Sequence, residues 1–262
     1  MGAFVIVITG ASSGLGAAAA RRHAHAPGAR LVLVARRAER LEALAAALPA
    51  PADWVAADLT AADAPERVRA HVEDRHGRLD VLVNNAGRGA RGRFGEAGYA
   101  NVRAAMELNF DAQLRLTEAL LPLLRRSAPS AIVNVASAAA RVARPGTAAY
   151  SASKAALAVW SDGLRAEEAP HGVHVGTVLP GFIPTEGFPQ RELLAGRGTR
   201  RLLGTPEQAA EAIADVAVER RAERYVPRFY GALAALRTIA PPLVRQAMAR
   251  GGADRLATTT RE

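Results

Sequence analysis

The feature that most constrains the fold is a regular alternation of short apolar runs with longer segments of helical spacing. The first run, Phe4–Thr9, is apolar at every position except the last. Unbroken apolar runs of this length are typical of strands that are buried on both faces of a parallel sheet. The alternation therefore predicts a doubly wound α/β fold, with one parallel sheet and helices on both of its faces.

Most of the chain can be assigned to an element in this way. The predicted strands are Phe4–Thr9, Leu31–Val34, Trp54–Val55, Val81–Val83, Ala131–Val135, His174–Leu179 and Arg224–Val226. The predicted helices lie at about Leu15–Ala26, Ala38–Leu48, Ala64–His76, Ala100–Arg126, Ala148–Ala169 and Pro206–Arg220. Thr205 is the expected N-cap of the last of these helices. We expect one domain over residues 1–250, with a substrate lid at 182–204 and a helical extension at 229–250, and a flexible tail at 251–262.

The composition excludes several classes of function. The chain has no cysteine, which excludes a disulfide framework, thiolate metal ligands and a cysteine nucleophile. The net charge is +9, but the 34 basic residues are spread along the whole chain, so we expect no nucleic-acid partner and keep an Arg-rich nucleic-acid binder only as an alternative. No apolar run approaches the roughly 18 residues of a membrane span, and Met1 is not followed by a signal sequence, so a cytoplasmic location is expected.

A glycine-rich turn joins the first predicted strand to the first predicted helix. It covers Thr9–Gly16 and reads TGASSGLG. Gly10 permits the tight turn, Gly14 lets the backbone approach a pyrophosphate, and Gly16 allows the helix to pack close to the strand. Because the positive end of the helix dipole faces this turn, we predict that the turn binds the phosphates of a dinucleotide.

Two further motifs follow later strands. Asn84–Gly87 (NNAG) comes after the fourth predicted strand, and Tyr150–Lys154 (YSASK) opens the helix that follows the fifth. Together with the G-x-x-x-G-x-G spacing of the turn, these motifs resemble the short-chain dehydrogenase/reductase family, in the family's order and over about residues 4–217. The resemblance implies a Rossmann-fold oxidoreductase that interconverts a carbonyl and a secondary alcohol, assembled as a homo-dimer or homo-tetramer.

The resemblance also implies which residues hold the cofactor. Besides Tyr150 and Lys154, they are the turn residues Gly10, Ser12, Ser13, Gly14, Leu15 and Gly16, the adenine contacts Asp58 and Leu59, the ribose segment Asn85, Ala86 and Gly87, and the nicotinamide contacts Pro180, Gly181, Ile183 and Thr185. These positions follow the first, third, fourth and sixth predicted strands. We therefore expect them to meet at the carboxyl edge of the sheet.

The end of the second predicted strand sets the expected choice of cofactor. A family member that prefers NAD has Asp or Glu at this position, whereas this chain has Ala35, followed by Arg36 and Arg37. A guanidinium can bind the 2′-phosphate of NADP(H) through two hydrogen bonds. We therefore expect NADP(H) to be preferred, with Arg36 as the main contact and NAD(H) as the alternative.

Four residues are the candidates for catalysis. Tyr150 and Lys154 are four residues apart on a predicted helix, so both project from one face, and Lys154 is the only lysine among the 34 basic residues. An ammonium about 4 Å from a phenol lowers the pKa of the phenol, which would make Tyr150 a general acid and base at neutral pH. Ser137 is expected to orient the substrate oxygen. By resemblance, Lys154 also binds the nicotinamide ribose, and Asn109 holds a proton-relay water.

An enzyme is not the only function compatible with these motifs. A catalytically idle relative that binds a dinucleotide as a sensor or scaffold is the second hypothesis, and the complete set of Ser137, Tyr150 and Lys154 argues against it.

The histidine pairs His23/His25 and His71/His76 have spacings that do not suit metal ligands and have no carboxylate joining them, so we predict solvated faces and no metal.

Three further segments bear on the substrate. The Arg-Gly segment at 87–95 is predicted to be a loop beside the cofactor cleft, where Arg88, Arg91 or Arg93 could attract an acidic substrate. The predicted lid has Phe182, Phe188, Leu193 and Leu194, which favour an apolar small-molecule substrate. The amphipathic segment at 229–250 is predicted to pack over the substrate pocket or a subunit interface, with peripheral membrane contact as the alternative.

Overall fold

Strand β1 (Phe4–Thr9) lies in the middle of the sheet, paired in parallel with β2 (Ala29–Ala35) on one side and with β4 (Val81–Asn84) on the other. The other strands are β3 (Ala52–Ala56), β5 (Ser130–Val135), β6 (Val173–Pro180) and β7 (Glu223–Val226). Their order is β3-β2-β1-β4-β5-β6-β7, and every pair is parallel. The strand order reverses between β1 and β4, where a doubly wound sheet opens a crevice at the carboxyl ends of its strands.

The computed structural model describes residues 3–188, 194 and 199–250. The helices of this part are α1 (Gly14–His23), α2 (Ala38–Ala47), α3 (Ala64–His76), α4 (Phe94–Met106), α5 (Ala112–Arg126), α6 (Ala148–Glu168), α7 (Pro206–Val218), α8 (Phe229–Ile239) and α9 (Pro241–Arg250). The tail predicted at 251–262 lies outside the described residues, as do Leu193 and much of the predicted lid.

The sheet separates two apolar cores. On one face, Ile6 and Ile8 of β1 pack with the apolar sides of α1, α2 and α7, and on the other face Val5 and Val7 pack with those of α3 and α5. All four of these β1 side chains are fully buried. The prediction of a parallel sheet covered by helices on both faces is therefore confirmed.

The helix predicted over residues 100–126 is wrong at its start and in its continuity. Helix α4 already begins at Phe94, and it is interrupted at Gly98, which has a left-handed φ of 64°. A π-helical segment, Glu107–Asp111, then joins α4 to α5. The earlier start was missed because glycines at 95 and 98 are poor helix formers and their presence indicates a loop.

Several other predicted helix ends also differ from the structure: α2 ends at Ala47, α6 at Glu168 and α7 at Val218, one or two residues before the predicted ends. Helix α1 ends at His23 instead of Ala26. The extension at 229–250 is two helices, because Pro241 cannot continue the hydrogen bonding of α8 and Ala240 has φ −130° and ψ 61°, outside the helical region. None of the helices in the described ranges is long and apolar enough to span a membrane.

Thr205 caps α7 as predicted. Its hydroxyl accepts a hydrogen bond from the Gln208 backbone N–H (3.2 Å), and the Gln208 side chain accepts one from the Thr205 backbone N–H (3.1 Å). This reciprocal pair is a capping box. It fixes the start of the helix that packs against α1.

The predicted solvent exposure of the histidines is wrong at His23, which is only 3% exposed. His23 is at the end of α1, beside Arg22 and Glu211. Burial, together with the charge of Arg22, lowers the pKa of His23 to about 4. The prediction that no carboxylate joins His71 and His76 is also wrong. The Asp53 carboxylate lies 4.0 Å from the Nε2 atom of His71 and 2.9 Å from that of His76.

The buried His23 predicts a loss of stability in mild acid. The pKa of this imidazole is about 4 in the folded chain against about 6.5 for a solvated histidine, so between these values the unfolded state binds more protons. The free energy of unfolding therefore falls by about 3 kcal/mol as the pH drops through this window. Urea unfolding at several pH values should show this fall for the wild type and a weaker fall for His23→Gln. The control is His25→Gln, at the exposed neighbouring histidine. If the free energy of unfolding has the same pH dependence in the wild type and in His23→Gln, the prediction is contradicted.

Candidate active site

The glycine-rich turn between β1 and α1 lies against the loop that follows β4. Gly10 and Gly14 have positive φ angles of 67° and 55°. A Cβ added at Gly10 would lie 2.9 Å from the Asn85 side-chain nitrogen, and one added at Gly16 would overlap the Gly10 carbonyl oxygen. These close approaches require glycine and leave the backbone at the start of α1 open to a ligand.

The loop after β4 is held by Thr9, the last residue of β1. The Thr9 hydroxyl accepts hydrogen bonds from the backbone N–H groups of Asn85 (2.9 Å) and Ala86 (3.0 Å). The Asn85 side chain in turn donates to the Thr9 carbonyl oxygen (2.8 Å). The ends of the two central strands are thereby fixed to each other at the point where the strand order reverses.

Arg36 and Arg37 have different surroundings at the carboxyl end of β2. The Arg37 guanidinium donates hydrogen bonds to the hydroxyls of Ser12 (3.0 Å) and Ser13 (2.9 Å) in the glycine-rich turn. The Arg36 side chain is 75% exposed, and its guanidinium lies 3.9 Å from the Asp58 carboxylate. Arg37 therefore stabilises the turn, whereas most of the hydrogen-bond donors of Arg36 are open to a ligand.

Ser137 and Tyr150 meet between the end of β5 and the start of α6. The Ser137 hydroxyl donates to the Pro180 carbonyl oxygen (3.2 Å) and accepts from the Ala139 backbone N–H (3.1 Å). A hydrogen bond also joins the side chains of Ser137 and Tyr150. The two hydroxyls therefore lie in the same part of the cleft.

Lys154 lies one helical turn after Tyr150 and is buried. Its ammonium donates to the Val135 carbonyl oxygen at 2.7 Å. A Cβ added at Gly87 would lie 3.3 Å from the Lys154 Nζ, so this atom sits directly beside the loop after β4. The amine is held inside the protein against the wall of the cleft and does not extend into water.

Asn109 lies behind Lys154, in the π-helical segment. Its Oδ1 accepts from the Arg88 backbone N–H (2.8 Å), and its Nδ2 donates to the Arg88 carbonyl oxygen (3.0 Å) and to the Ser153 hydroxyl (3.0 Å). A Cβ added at Gly87 would lie 3.0 Å from Asn109 Oδ1. Asn109 therefore adjoins the same glycine as the Lys154 amine.

The segment after β6 crosses the cleft toward the glycine-rich turn. Gly181 donates its backbone N–H to Val226 of β7 (2.8 Å), and Thr185 and Phe188 exchange two backbone hydrogen bonds of 3.0 Å. A Cβ added at Gly14 would lie 3.4 Å from the Thr185 side chain. Thr185 thus faces the turn from the opposite side of the cleft.

These groups surround one cavity of about 1150 Å³. Of the predicted site residues, its lining includes Gly10, Ser12, Ser13, Gly14, Leu15, Arg36, Asp58, Leu59, Asn85, Ala86, Gly87, Ser137, Tyr150, Lys154, Pro180, Gly181, Ile183 and Thr185. Gly16 and Asn109 lie behind the lining, where they support the turn and the loop after β4. Ligand pockets usually measure about 300–1000 Å³, so this cavity has room for a dinucleotide with a small substrate.

The pKa values differ from the sequence prediction in one respect. Burial raises the pKa of Tyr150, and its hydrogen bond with Ser137 opposes this only in part. Burial also lowers the pKa of Lys154 to about 8. The predicted lowering of the Tyr150 pKa by Lys154 is therefore wrong for this arrangement, because burial outweighs any effect of the ammonium, which donates to Val135.

Two residues around the cavity were not found from the sequence. Gln113 donates from its side chain to the Ala86 carbonyl oxygen (2.6 Å) and supports the loop after β4. Arg144 lines the substrate end of the cavity. Neither residue belongs to a motif, so no local pattern marks it. Tyr230 and Leu233 of the predicted extension also line the cavity, which places α8 over the pocket, one of the two predicted positions of the extension.

Comparisons with known proteins agree with this geometry. Residues 4–192 match the family model described as short chain dehydrogenase. The chain is 34% identical over 265 residues to dehydrogenase/reductase SDR family member 7B of Xenopus laevis, covering 92% of this chain and 79% of that relative. It is 37% identical over 182 residues to serine 3-dehydrogenase of Agrobacterium fabrum, covering 69% and 72% of the two chains. The crystal structure of a short-chain dehydrogenase from Streptomyces avermitilis superposes with a TM-score of 0.77 at 34% identity, covering 95% of this chain and 98% of that one.

Proposed function

Because this chain belongs to the short-chain dehydrogenase family, we propose that it is an NADP(H)-dependent oxidoreductase that interconverts a carbonyl and a secondary alcohol. The observation that supports this most strongly is the position of Tyr150, Ser137 and Lys154 in the wall of one cavity, whose other end is the glycine-rich turn. Family members use nicotinamide dinucleotides, generally act on small molecules and often oligomerise. We propose a homo-dimer or homo-tetramer for this chain.

The residues around the cavity fit a dinucleotide. Added Cβ atoms at Gly10 and Gly16 would collide with the neighbouring backbone and with Asn85, so the turn is shaped to leave its backbone close to a phosphate group. Asp58 and Leu59 would hold the adenine, and Thr185 and Ile183 would hold the nicotinamide. When bound, the cofactor supplies the hydride for reduction and accepts it in oxidation.

The protein's own part in the reaction is the movement of a proton at the Tyr150 phenol oxygen. In reduction, Ser137 donates a hydrogen bond to the carbonyl oxygen and Tyr150 donates its proton to that oxygen as negative charge develops there. In oxidation, the phenol oxygen accepts the proton of the alcohol. Burial disfavours the charged phenolate, so the phenol holds the proton that reduction consumes.

Lys154 and Asn109 complete the proton path in this proposal. The Lys154 amine is held by Val135 and would bind the nicotinamide ribose. Its pKa of about 8 lets it gain and lose a proton near neutral pH. Asn109 would hold a water that exchanges protons with this amine. The pair would thereby return a proton to Tyr150 after each turnover.

We predict that removing the charge of Arg36 weakens the preference for NADPH. Arg36→Ala is expected to lower kcat/KM for NADPH about tenfold, because a charged hydrogen bond to the 2′-phosphate is lost, and to leave kcat/KM for NADH unchanged. Steady-state rates with each cofactor measure this. Arg30→Ala is the matched control, since Arg30 is an exposed arginine at the opposite end of the same strand. Faster turnover of NADH than of NADPH by the wild type would contradict the assignment.

A further inference from the structure

Two arginines at the substrate end of the cavity have no carboxylate partner among the described residues. The Arg144 guanidinium carbon lies 4.5 Å from the centre of the Phe182 ring, and that of Arg91 lies 6.0 Å from the centre of the Phe188 ring. Both arginines line the cavity. By contrast, Arg36, Arg37, Arg40 and Arg141 elsewhere around the cleft each face an acidic side chain.

The surroundings of Arg144 are unfavourable for an uncompensated charge. The side chain is half-buried, and its burial lowers its pKa; the nearby Tyr230 opposes this shift and the charge of Arg91 adds to it. A buried or half-buried charge normally has an opposite charge beside it. Arg144, which has the exposed Arg91 near it and no carboxylate, therefore forms a site that an anion would stabilise.

The position of this arginine pair relative to the phenol limits what the anion can be. The Phe188 ring is close to both groups, with its centre 6.0 Å from the Arg91 guanidinium carbon and 5.9 Å from the centre of the Tyr150 ring. Phe182, which stacks with Arg144, follows Gly181 in the lining. Arg91, Arg144 and Tyr150 all line this cavity, so a single small molecule bound in it can contact the arginines at one end and the phenol at the other.

We infer that the substrate is an acidic carbonyl compound whose carboxylate is bound by Arg144 and Arg91 and whose apolar body lies against Phe182 and Phe188. The inference rests on the proposed oxidoreductase function and refines it. A planar guanidinium matches a carboxylate through two parallel hydrogen bonds. The expected apolar substrate is thereby changed to an amphipathic one, with its charge at the end remote from Tyr150.

The first test compares substrates that differ only in charge. We expect wild-type kcat/KM to be about tenfold higher for 4-acetylbenzoate, whose carboxylate is at the far end of the ring from the ketone, than for its methyl ester. Arg144→Met keeps the apolar contact with Phe182 and removes the charge, so the ratio of kcat/KM for the acid to kcat/KM for the ester should fall to about one. Arg91→Met should reduce the preference in part. Arg228→Met, at an exposed arginine outside the cavity lining, is the control.

The second test reads binding without turnover. Benzoate should raise the melting temperature of the wild type and of Tyr150→Phe, but not that of Arg144→Met, and neutral benzyl alcohol should protect none of them. If no carbonyl compound is reduced but benzoate still protects, the proposed reaction fails and the anion site stands. Equal protection of wild type and Arg144→Met, a preference for the ester, or stronger protection by phenyl phosphate would each overturn the carboxylate site.

Discussion

Tyr150→Phe is expected to lower kcat for carbonyl reduction about a thousandfold, the size of effect that general acid catalysis supplies. The phenylalanine ring keeps the apolar contact with Phe188, and only the hydroxyl that donates the proton is lost. The affinity for NADPH should change little, because the glycine-rich turn and Arg36 are remote from this hydroxyl. Steady-state rates give kcat, and titration of nicotinamide fluorescence gives the dissociation constant of the cofactor.

A matched substitution separates this effect from general damage. Tyr99→Phe removes the same hydroxyl from an exposed residue of α4 that does not line the cavity, and its kcat should equal that of the wild type. If the chain is a dinucleotide-binding sensor or scaffold, the wild type, Tyr150→Phe and Tyr99→Phe will all bind NADPH and none of them will show turnover. Wild-type kcat in Tyr150→Phe would remove the phenol from the mechanism.

Lys154→Arg is expected to lower kcat about a hundredfold, although the positive charge is conserved. The Lys154 amine is buried against Val135 and lies close to Gly87, and a broad planar guanidinium does not fit the place of a compact ammonium. Displacement of a positioned group by about 1 Å commonly costs about a hundredfold in rate. The result is measured as kcat with saturating NADPH, with Arg165→Lys as a control for exchange of the two side chains elsewhere on α6.

The pH dependence of the same variant distinguishes a functional amine from a structural one. Burial disfavours the ammonium, so Lys154, whose pKa is about 8, is charged below this pH and neutral above it. The kcat/KM for NADPH, which reports ionisations of the free protein, should therefore fall as the pH rises through about 8. Arginine stays protonated throughout this range, so Lys154→Arg should lack this fall. A fall of equal midpoint in both proteins would assign the ionisation to another group.

The sheet could be predicted from the sequence because its inner strands are buried on both faces. The apolar runs of β1 and β5 have few polar interruptions, and residues buried on both faces leave a continuous signal. The candidate site could be predicted for a related reason. Parallel strands bring all their carboxyl ends to one edge, so motifs that follow separate strands meet around one cavity, although the roles of their side chains stay predictions.

What the sequence did not reveal depends on contacts between distant segments. The two-residue spacing of His23 and His25 predicts solvent-exposed side chains. His23 is buried because α1 packs against α7. Arg144 is one of 33 arginines in the printed sequence and becomes distinctive only beside Phe182 and Arg91. The pKa of Tyr150 depends on how deeply the phenol is buried, which the four-residue spacing to Lys154 does not determine.

The most direct test of the account is a single-turnover reduction by NADPH-saturated protein, followed through the nicotinamide absorbance in H₂O and in D₂O. We predict that wild-type protein completes the turnover and is slowed in D₂O, because a proton moves from the Tyr150 oxygen together with the hydride. Tyr150→Phe at equal cofactor occupancy should react about a thousandfold more slowly. Equal single-turnover rates for the two proteins would contradict the assignment of the proton to this phenol.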